Sequence, residues 1–140
     1  MASLLRTRAA GDALWLDVTC DSMGAAIASG SRVHVVPDRE PRRGQVWAFV
    51  DEDGRVVVHR FRRRTADGSS WFQGDANAGL DVAVDDGRLV GRVIAVDDGG
   101  RRRRLGPIAT VRGRLWLDAR SARSRTERAI WRRRDRQRDR

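Results

Sequence analysis

The centre of the predicted fold is the segment QVWAFV-DEDG-RVVVHRF, residues 45–61. Its first six and last seven residues are rich in valine and aromatic side chains, which favour strands. The four residues between them, Asp51-Glu52-Asp53-Gly54, have the acidic and glycine content of a hairpin turn. We therefore expect two antiparallel strands, with His59 close to the end of the second.

Further short apolar runs lie on both sides of this hairpin, at residues 13–18, 32–36, 69–73 and 88–96. Turn residues separate the runs, as at Pro37 and at Asp97-Asp98-Gly99-Gly100. Little helical periodicity precedes residue 105. The pattern predicts a mainly β protein, a coiled β-sheet or barrel, with a short C-terminal helix.

Charge divides the chain into two parts. Residues 1–100 carry 13 arginines and 15 acidic residues, whereas residues 101–140 carry 16 arginines and 4 acidic residues. The net charge of +10 therefore belongs to the last forty residues, which predicts either a solubilising tail or a contact with an anionic partner. We expect a flexible N-terminal arm over residues 1–12, one folded domain over residues 13–106, and an Arg-rich helical or disordered tail over residues 107–140.

Composition also bounds the compartment and the cofactors. No apolar run approaches the roughly 20 residues of a membrane span, and residues 1–10 lack the apolar stretch of a secretory signal. The lone Cys20 excludes an internal disulfide and is typical of a reducing compartment. These features predict a cytoplasmic protein. Two histidines and one cysteine are too few for a structural zinc site, so we expect no metal and no organic cofactor.

Three segments carry the residue types needed for acyl transfer. Ser22 follows the first apolar run, His59 lies in the hairpin, and the loop over residues 74–81 contains Asp75 and Asp81. A hydroxyl nucleophile, an imidazole base and a carboxylate that orients the ring are the minimal set for attack on a carbonyl. The chain contains no lysine, so a lysine base is excluded.

Each of these residues also has a structural interpretation. Ser22 is a favoured residue for a helix N-cap, and His59 is acceptable as an ordinary strand residue. Asp75 suits the cap of a turn. Cys20 lies two residues before Ser22 and, in an extended strand, shares its face, which makes its thiol an alternative nucleophile.

Six blocks in the same order and at similar spacing resemble the LexA/type I signal peptidase superfamily of serine peptidases. The resemblance is strongest to the archaeal and endoplasmic-reticulum type of signal peptidase, in which a histidine replaces the lysine base. The blocks are Ser22-Met23, Gly30 with Arg32–Val36, Gly44 with Gln45–Val50, Val58-His59-Arg60, Gly74-Asp75-Ala76-Asn77 with Asp81, and Leu89–Val93.

The resemblance implies a signal peptidase-like catalytic domain over residues 13–106 and a role for each matching residue. Ser22 is implied as the nucleophile and His59 as the general base, with Asp81 or Asp75 as the acid that orients the ring. Met23 is implied to pack beside the substrate-binding strand. The implied activity is that of a serine endopeptidase acting on a leader or precursor peptide.

The sequence departs from the family pattern at turn and packing positions. Cys20 stands where the family usually has glycine, and Ala25 stands where proline is usual. Residues 1–140 contain no counterpart of the family's membrane anchor, so we expect the processing of a dedicated precursor rather than bulk secretory cleavage. Two alternatives remain: an inactive peptide- or protein-binding module of the same fold, and a nucleic-acid-binding protein that acts through residues 101–140. The second is disfavoured because residues 1–100 show no basic excess.

Overall fold

The computed structural model describes residues 1–81, 83–105 and 115. Within these residues the chain forms one α-helix, two short 3₁₀-helices at Gly24–Ala26 and Asp86–Arg88, and seven strands. The α-helix and strands are α1 (Ala2–Gly11), β1 (Leu14–Asp17), β2 (Arg32–Val36), β3 (Val46–Val50), β4 (Val56–Arg64), β5 (Ser70–Gln73), β6 (Leu89–Asp98) and β7 (Arg101–Arg104).

The strands build a single antiparallel sheet in the order β1-β2-β6-β3-β4-β5, and β7 pairs with the end of β6. The central hairpin is formed by β3 and β4, which pair from Val46 opposite Arg60 to Val50 opposite Val56. Gly54 closes its turn with a φ of 78°, a value that glycine adopts without strain. The mainly β prediction is confirmed in its sheet form, because within the described residues β1 and β5 stand at opposite ends of the strand order and do not pair with each other to close a barrel.

The core divides into an aliphatic and an aromatic cluster. The aliphatic cluster lies under β1, β2 and β6 and consists mainly of valines. Residues along β2 alternate between buried and more exposed, as expected for a strand with one buried face. The aromatic cluster contains Trp47, Phe49, Phe61 and Phe72 and lies on the other face of the sheet at β3–β5, because the aromatic residues of β3 alternate with its aliphatic ones. The second cluster therefore lies directly beside His59, whose ring meets Phe49 edge-on at 6.2 Å.

The N-terminal residues differ from the expected flexible arm over residues 1–12. They form α1, which buries Ala2 and Ala9, and Arg6 donates hydrogen bonds to the carbonyls of Asp86 and Gly87. The buried residues of this helix are alanines, which leave no apolar stripe in the sequence. The helix was missed for that reason.

The first four of the basic last forty residues, all of them arginine, form a strand that the sequence pattern did not predict. Arg101–Arg104 forms β7, which pairs with β6 through a two-residue turn. Gly99 and Gly100 occupy that turn with φ values of 60° and 94°, the left-handed geometry that matches hairpin twist. The predicted C-terminal helix and tail over residues 107–140 lie outside the described residues, Leu115 excepted. No helix in the described part of the chain has the length and apolar character needed to cross a membrane.

Candidate active site

Ser22 lies on a tight turn that follows β1. The N–H of Gly24 donates to the carbonyl of Asp21 at 2.9 Å, and the neighbouring Met23 and Ile27 are buried to 1% and 0% exposure. The 3₁₀-helix that follows has Met23 at its N-cap position and no side-chain cap. The N-cap interpretation of Ser22 is therefore wrong, and its hydroxyl is available for other contacts.

His59 lies on β4, opposite Trp47 of β3, and is only 7% exposed. Its Nε2 lies 2.8 Å from Ser22 Oγ, and its Nδ1 contacts Asp81 Oδ2 in a short hydrogen bond. An ionised Asp81 accepts the Nδ1 proton, which leaves the Nε2 lone pair to accept the proton of Ser22. The structure thus brings Ser22, His59 and Asp81 into one hydrogen-bonded line.

The loop over residues 74–81 carries both acidic candidates, but it places them against different partners. The N–H of Asp81 donates to the carbonyl of Phe72 at 2.9 Å, which folds the end of the loop back onto β5 and beneath His59. Asp75 instead accepts hydrogen bonds from Arg60, at 2.8 Å from Nε and 2.6 Å from Nη2. Both ring nitrogens of His59 are already engaged by Ser22 and Asp81.

Arg60 follows His59 on β4 and is also buried. Its side chain is 10% exposed and forms a two-pronged ion pair with Asp75, while its Nη1 donates to the carbonyl of Gly44 at 2.7 Å. A buried guanidinium requires this degree of pairing, because desolvation of an unpaired charge is costly. The available clue was its position directly after His59 in one of the six blocks.

Gly74 lies where the loop packs against the serine turn, with no room for a side chain. The N–H of Ala76 donates to the carbonyl oxygen of Ser22 at 2.9 Å. A Cβ atom at Gly74 would lie 2.5 Å from that same oxygen and 3.0 Å from His59 Nε2. Only glycine permits the loop to approach both catalytic candidates so closely.

Cys20 is exposed, and its Sγ lies 3.2 Å from Ser22 Oγ. The contact of His59 Nε2 is with the hydroxyl of Ser22, so the base is aligned with oxygen and not with sulfur. Met23 lies in the aliphatic core at 1% exposure, beneath the serine turn. Its implied position beside a substrate strand stays a prediction.

The described residues contain no group of three or more His, Cys, Asp or Glu side chains arranged to hold a metal ion. A hydroxyl paired with a buried imidazole, which is itself paired with a carboxylate, is the arrangement for nucleophilic attack on an acyl carbon.

Comparison with known proteins gives the family. The sequence model of the family described as Peptidase S24-like matches residues 2–94, a range that contains α1, β1 to β5, most of β6 and every candidate residue of the site. Curated protein sequences gave no match to the chain. Because the match covers more than half of the chain, the protein belongs to the Peptidase S24-like family of the LexA/signal peptidase superfamily.

Proposed function

We propose that this protein is a serine endopeptidase in which Ser22 is the nucleophile, His59 the general base and Asp81 the residue that orients the imidazole. One observation carries the proposal. The 2.8 Å separation of Ser22 Oγ and His59 Nε2, with Asp81 on the opposite ring nitrogen, satisfies the geometric requirement for proton transfer before any substrate binds.

The proposed reaction proceeds through an acyl-enzyme. Ser22 Oγ attacks the scissile carbonyl carbon while its proton passes to His59 Nε2. The tetrahedral intermediate collapses by cleavage of the C–N bond, and His59 returns the proton to the departing amine. Water then attacks the ester, His59 accepts a proton from that water, and the proton returns to Ser22 Oγ as the new carboxyl group leaves.

Two further groups assist these steps. A backbone N–H at or next to Ser22 supplies part of the oxyanion hole, a contribution of about 10²–10³ in rate for one donor. Asp81 stabilises the His59 imidazolium that forms in each step. When the His59 ring is neutral, Asp81 keeps the ring proton on Nδ1. The Arg60–Asp75 ion pair holds the loop that presents Asp81.

The proposed substrate is an extended leader or precursor peptide with small residues before the cleavage site. The histidine base supports the archaeal and endoplasmic-reticulum type of mechanism, because the chain has no lysine to serve instead. This assignment of subtype and substrate rests on the resemblance of the six sequence blocks. It is separable from the chemistry of Ser22 and His59.

The test is cleavage of a synthetic library of extended peptides with small residues at the central positions, followed by mass spectrometry. Ser22→Ala and His59→Ala are expected to abolish cleavage, with losses of at least about 10³-fold. Ser29→Ala, an exposed serine on the same loop, and His34→Ala are the matched controls and should retain it. Cys20→Ser should also cleave, which separates a hydroxyl mechanism from a thiol mechanism.

The inactive alternative predicts a different pattern. Under that alternative the wild-type protein binds library peptides without cutting them, and both Ser22→Ala and His59→Ala bind as the wild type does. Cleavage that persists in Ser22→Ala but disappears in Cys20→Ser would move the nucleophile to the thiol. Either result would overturn the proposed role of Ser22.

A further inference from the structure

The outer face of the sheet, opposite the aliphatic core, carries a continuous row of polar and aromatic side chains from β1 to β7. Directly opposed residues of antiparallel strands lie on the same face. The row follows from the pairing of Asp17 with Arg32, of Arg32 with Asp97, and of Asp97 with Arg102. In the next row Trp15 pairs with His34, so its side chain shares this outer face.

Trp15 is the centre of a flat cationic and aromatic cluster. Its ring stacks on that of His34 with centroids 4.9 Å apart and an angle of 15° between the planes. The guanidinium carbon of Arg102 lies 4.9 Å from the Trp15 centroid, and that of Arg32 lies 5.6 Å away. The Trp15 side chain is only half-buried, and both arginines are exposed.

This outer face also has an excess of positive charge. Asp17 Oδ1 lies 3.5 Å from Arg32 Nε, and Asp97 Oδ2 lies 3.3 Å from Arg102 Nε. Arg104 shares the same face and has no acidic partner within residues 1–81 and 83–105. Its neighbour Arg103 points the other way and donates to the carbonyl of Ala26, which anchors β7 to the body of the protein.

We propose that this outer face binds single-stranded nucleic acid, with phosphates on the β7 arginines and a base stacked on Trp15 or on the guanidinium plane that covers it. Guanidinium groups pair with phosphate oxygens, and aromatic and guanidinium planes are the surfaces on which unpaired bases stack. An acidic protein would use the arginines but not the aromatic plane. A duplex keeps its bases stacked within the helix, where the Trp15 plane does not reach them.

The placement of β7 removes the objection that the sequence raised against nucleic-acid binding. That objection was that the body of the protein lacks a basic face, with all excess arginine in a separate tail. The structure instead fixes four arginines on a strand of the sheet, two of them on the same face as Trp15. The proposal uses none of the residues assigned to peptide cleavage, so the two functions can fail independently.

The test is fluorescence anisotropy of the full chain with a labelled twenty-nucleotide oligo-dT, titrated at several salt concentrations, with inorganic polyphosphate as a second probe. Each arginine that contacts a phosphate contributes about 0.7 to the slope of log affinity against log salt. The double variant Arg102→Ser/Arg104→Ser should therefore lower that slope by about 1.4. The matched control is Arg39→Ser/Arg55→Ser, which removes two exposed arginines outside the row and should leave the slope unchanged.

The stacking component is tested at Trp15. Trp15→Leu should weaken oligo-dT binding by about 5-fold to 150-fold, the range for loss of one stacked base, and should leave polyphosphate binding unchanged. Trp15→Phe keeps a π face and should retain most of the affinity. If Trp15→Leu fails to fold, as judged by circular dichroism, the salt slope of the arginine variant still decides the proposal.

Three results would overturn the proposal. The first is unchanged oligo-dT binding in Arg102→Ser/Arg104→Ser together with its loss in Arg132→Ser/Arg133→Ser/Arg134→Ser, which would assign binding to the tail. The second is an equal change for oligo-dT and polyphosphate in Trp15→Leu, which would mean a general anion surface. The third is an equal effect of the Arg39→Ser/Arg55→Ser control, which would mean that net charge alone is responsible.

Discussion

Replacement of Gly74 by alanine adds one methyl group at the contact between the acidic loop and the serine turn. The new Cβ would lie 2.5 Å from the carbonyl oxygen of Ser22, 2.8 Å from Asn77 Nδ2 and 3.0 Å from His59 Nε2. Ordinary van der Waals contact begins near 3.4 Å, so the loop and the serine turn must separate by about 0.9 Å. The obstacle at Ser22 is backbone, which has no rotamer by which to retreat.

The size of the expected effect follows from that displacement. A misplacement of about 1 Å between reacting groups costs about 10²-fold in rate, or about 2.7 kcal/mol of transition-state stabilisation. Overpacking of a closed contact costs a further 1–3 kcal/mol of folding stability, roughly. Gly74→Ala should therefore fold with a lowered midpoint of unfolding and cleave peptides about a hundred times more slowly than the wild type.

Two measurements and one control test this expectation. Peptide cleavage reports the Ser22–His59 alignment, and hydrogen–deuterium exchange of the Ala76 amide reports its 2.9 Å hydrogen bond to Ser22, whether or not the protein is a peptidase. Gly79→Ala is the matched control, because a Cβ there meets nothing within 4 Å. Cleavage within threefold of wild type and unchanged Ala76 protection in a folded Gly74→Ala would refute the steric argument.

Three further perturbations separate the roles of the acidic residues. Asp81→Asn should lower kcat by about 10³–10⁴-fold with little change in stability, because the wrong histidine tautomer is favoured; steady-state kinetics and thermal melts measure the two effects. Asp75→Asn leaves Arg60 without its full counter-charge and should cost about 3 kcal/mol of unfolding free energy, measured by urea titration. Asp67 has a lowered pKa because the Thr65 hydroxyl and the Ser69 N–H donate to its carboxylate. Its contribution to stability is present above its unfolded-state pKa and is lost as pH falls through the folded value, and Thr65→Val should return the NMR-measured pKa toward normal.

The central hairpin was predictable because its signals are local. Valine and aromatic runs on both sides of an acidic, glycine-ended turn specify two paired strands without reference to the rest of the chain. The positions of Ser22 and His59 were also accessible, since the order and spacing of six blocks placed both in one family pattern. Their meeting depends on long-range contacts, which the pattern only implies.

The helix α1 and the strand β7 were not predictable for physical reasons. Burial of Ala2 and Ala9 contributes little apolar area, so α1 leaves no hydrophobic period in the sequence and is specified by its packing on the sheet. Strand β7 consists of four arginines, which show no alternation between apolar and polar residues. Its register comes from backbone pairing with β6 and from the turn at Gly99 and Gly100.

The choice between Asp75 and Asp81 was open because both lie in one eight-residue loop. The structure adds the fact that two adjacent residues of β4, His59 and Arg60, are both buried and both need an acidic partner. A buried guanidinium always carries a charge and needs a charged carboxylate that accepts two hydrogen bonds, whereas an imidazole needs only one acceptor for its N–H. Arg60 forms this two-pronged ion pair with Asp75. This ion pair holds one end of the loop. At the other end, the N–H of Asp81 donates to the carbonyl of Phe72, which brings the Asp81 carboxylate to His59 Nδ1. The proposed choice of Asp81 as the orienting acid thus depends on the burial of Arg60, which the sequence does not reveal.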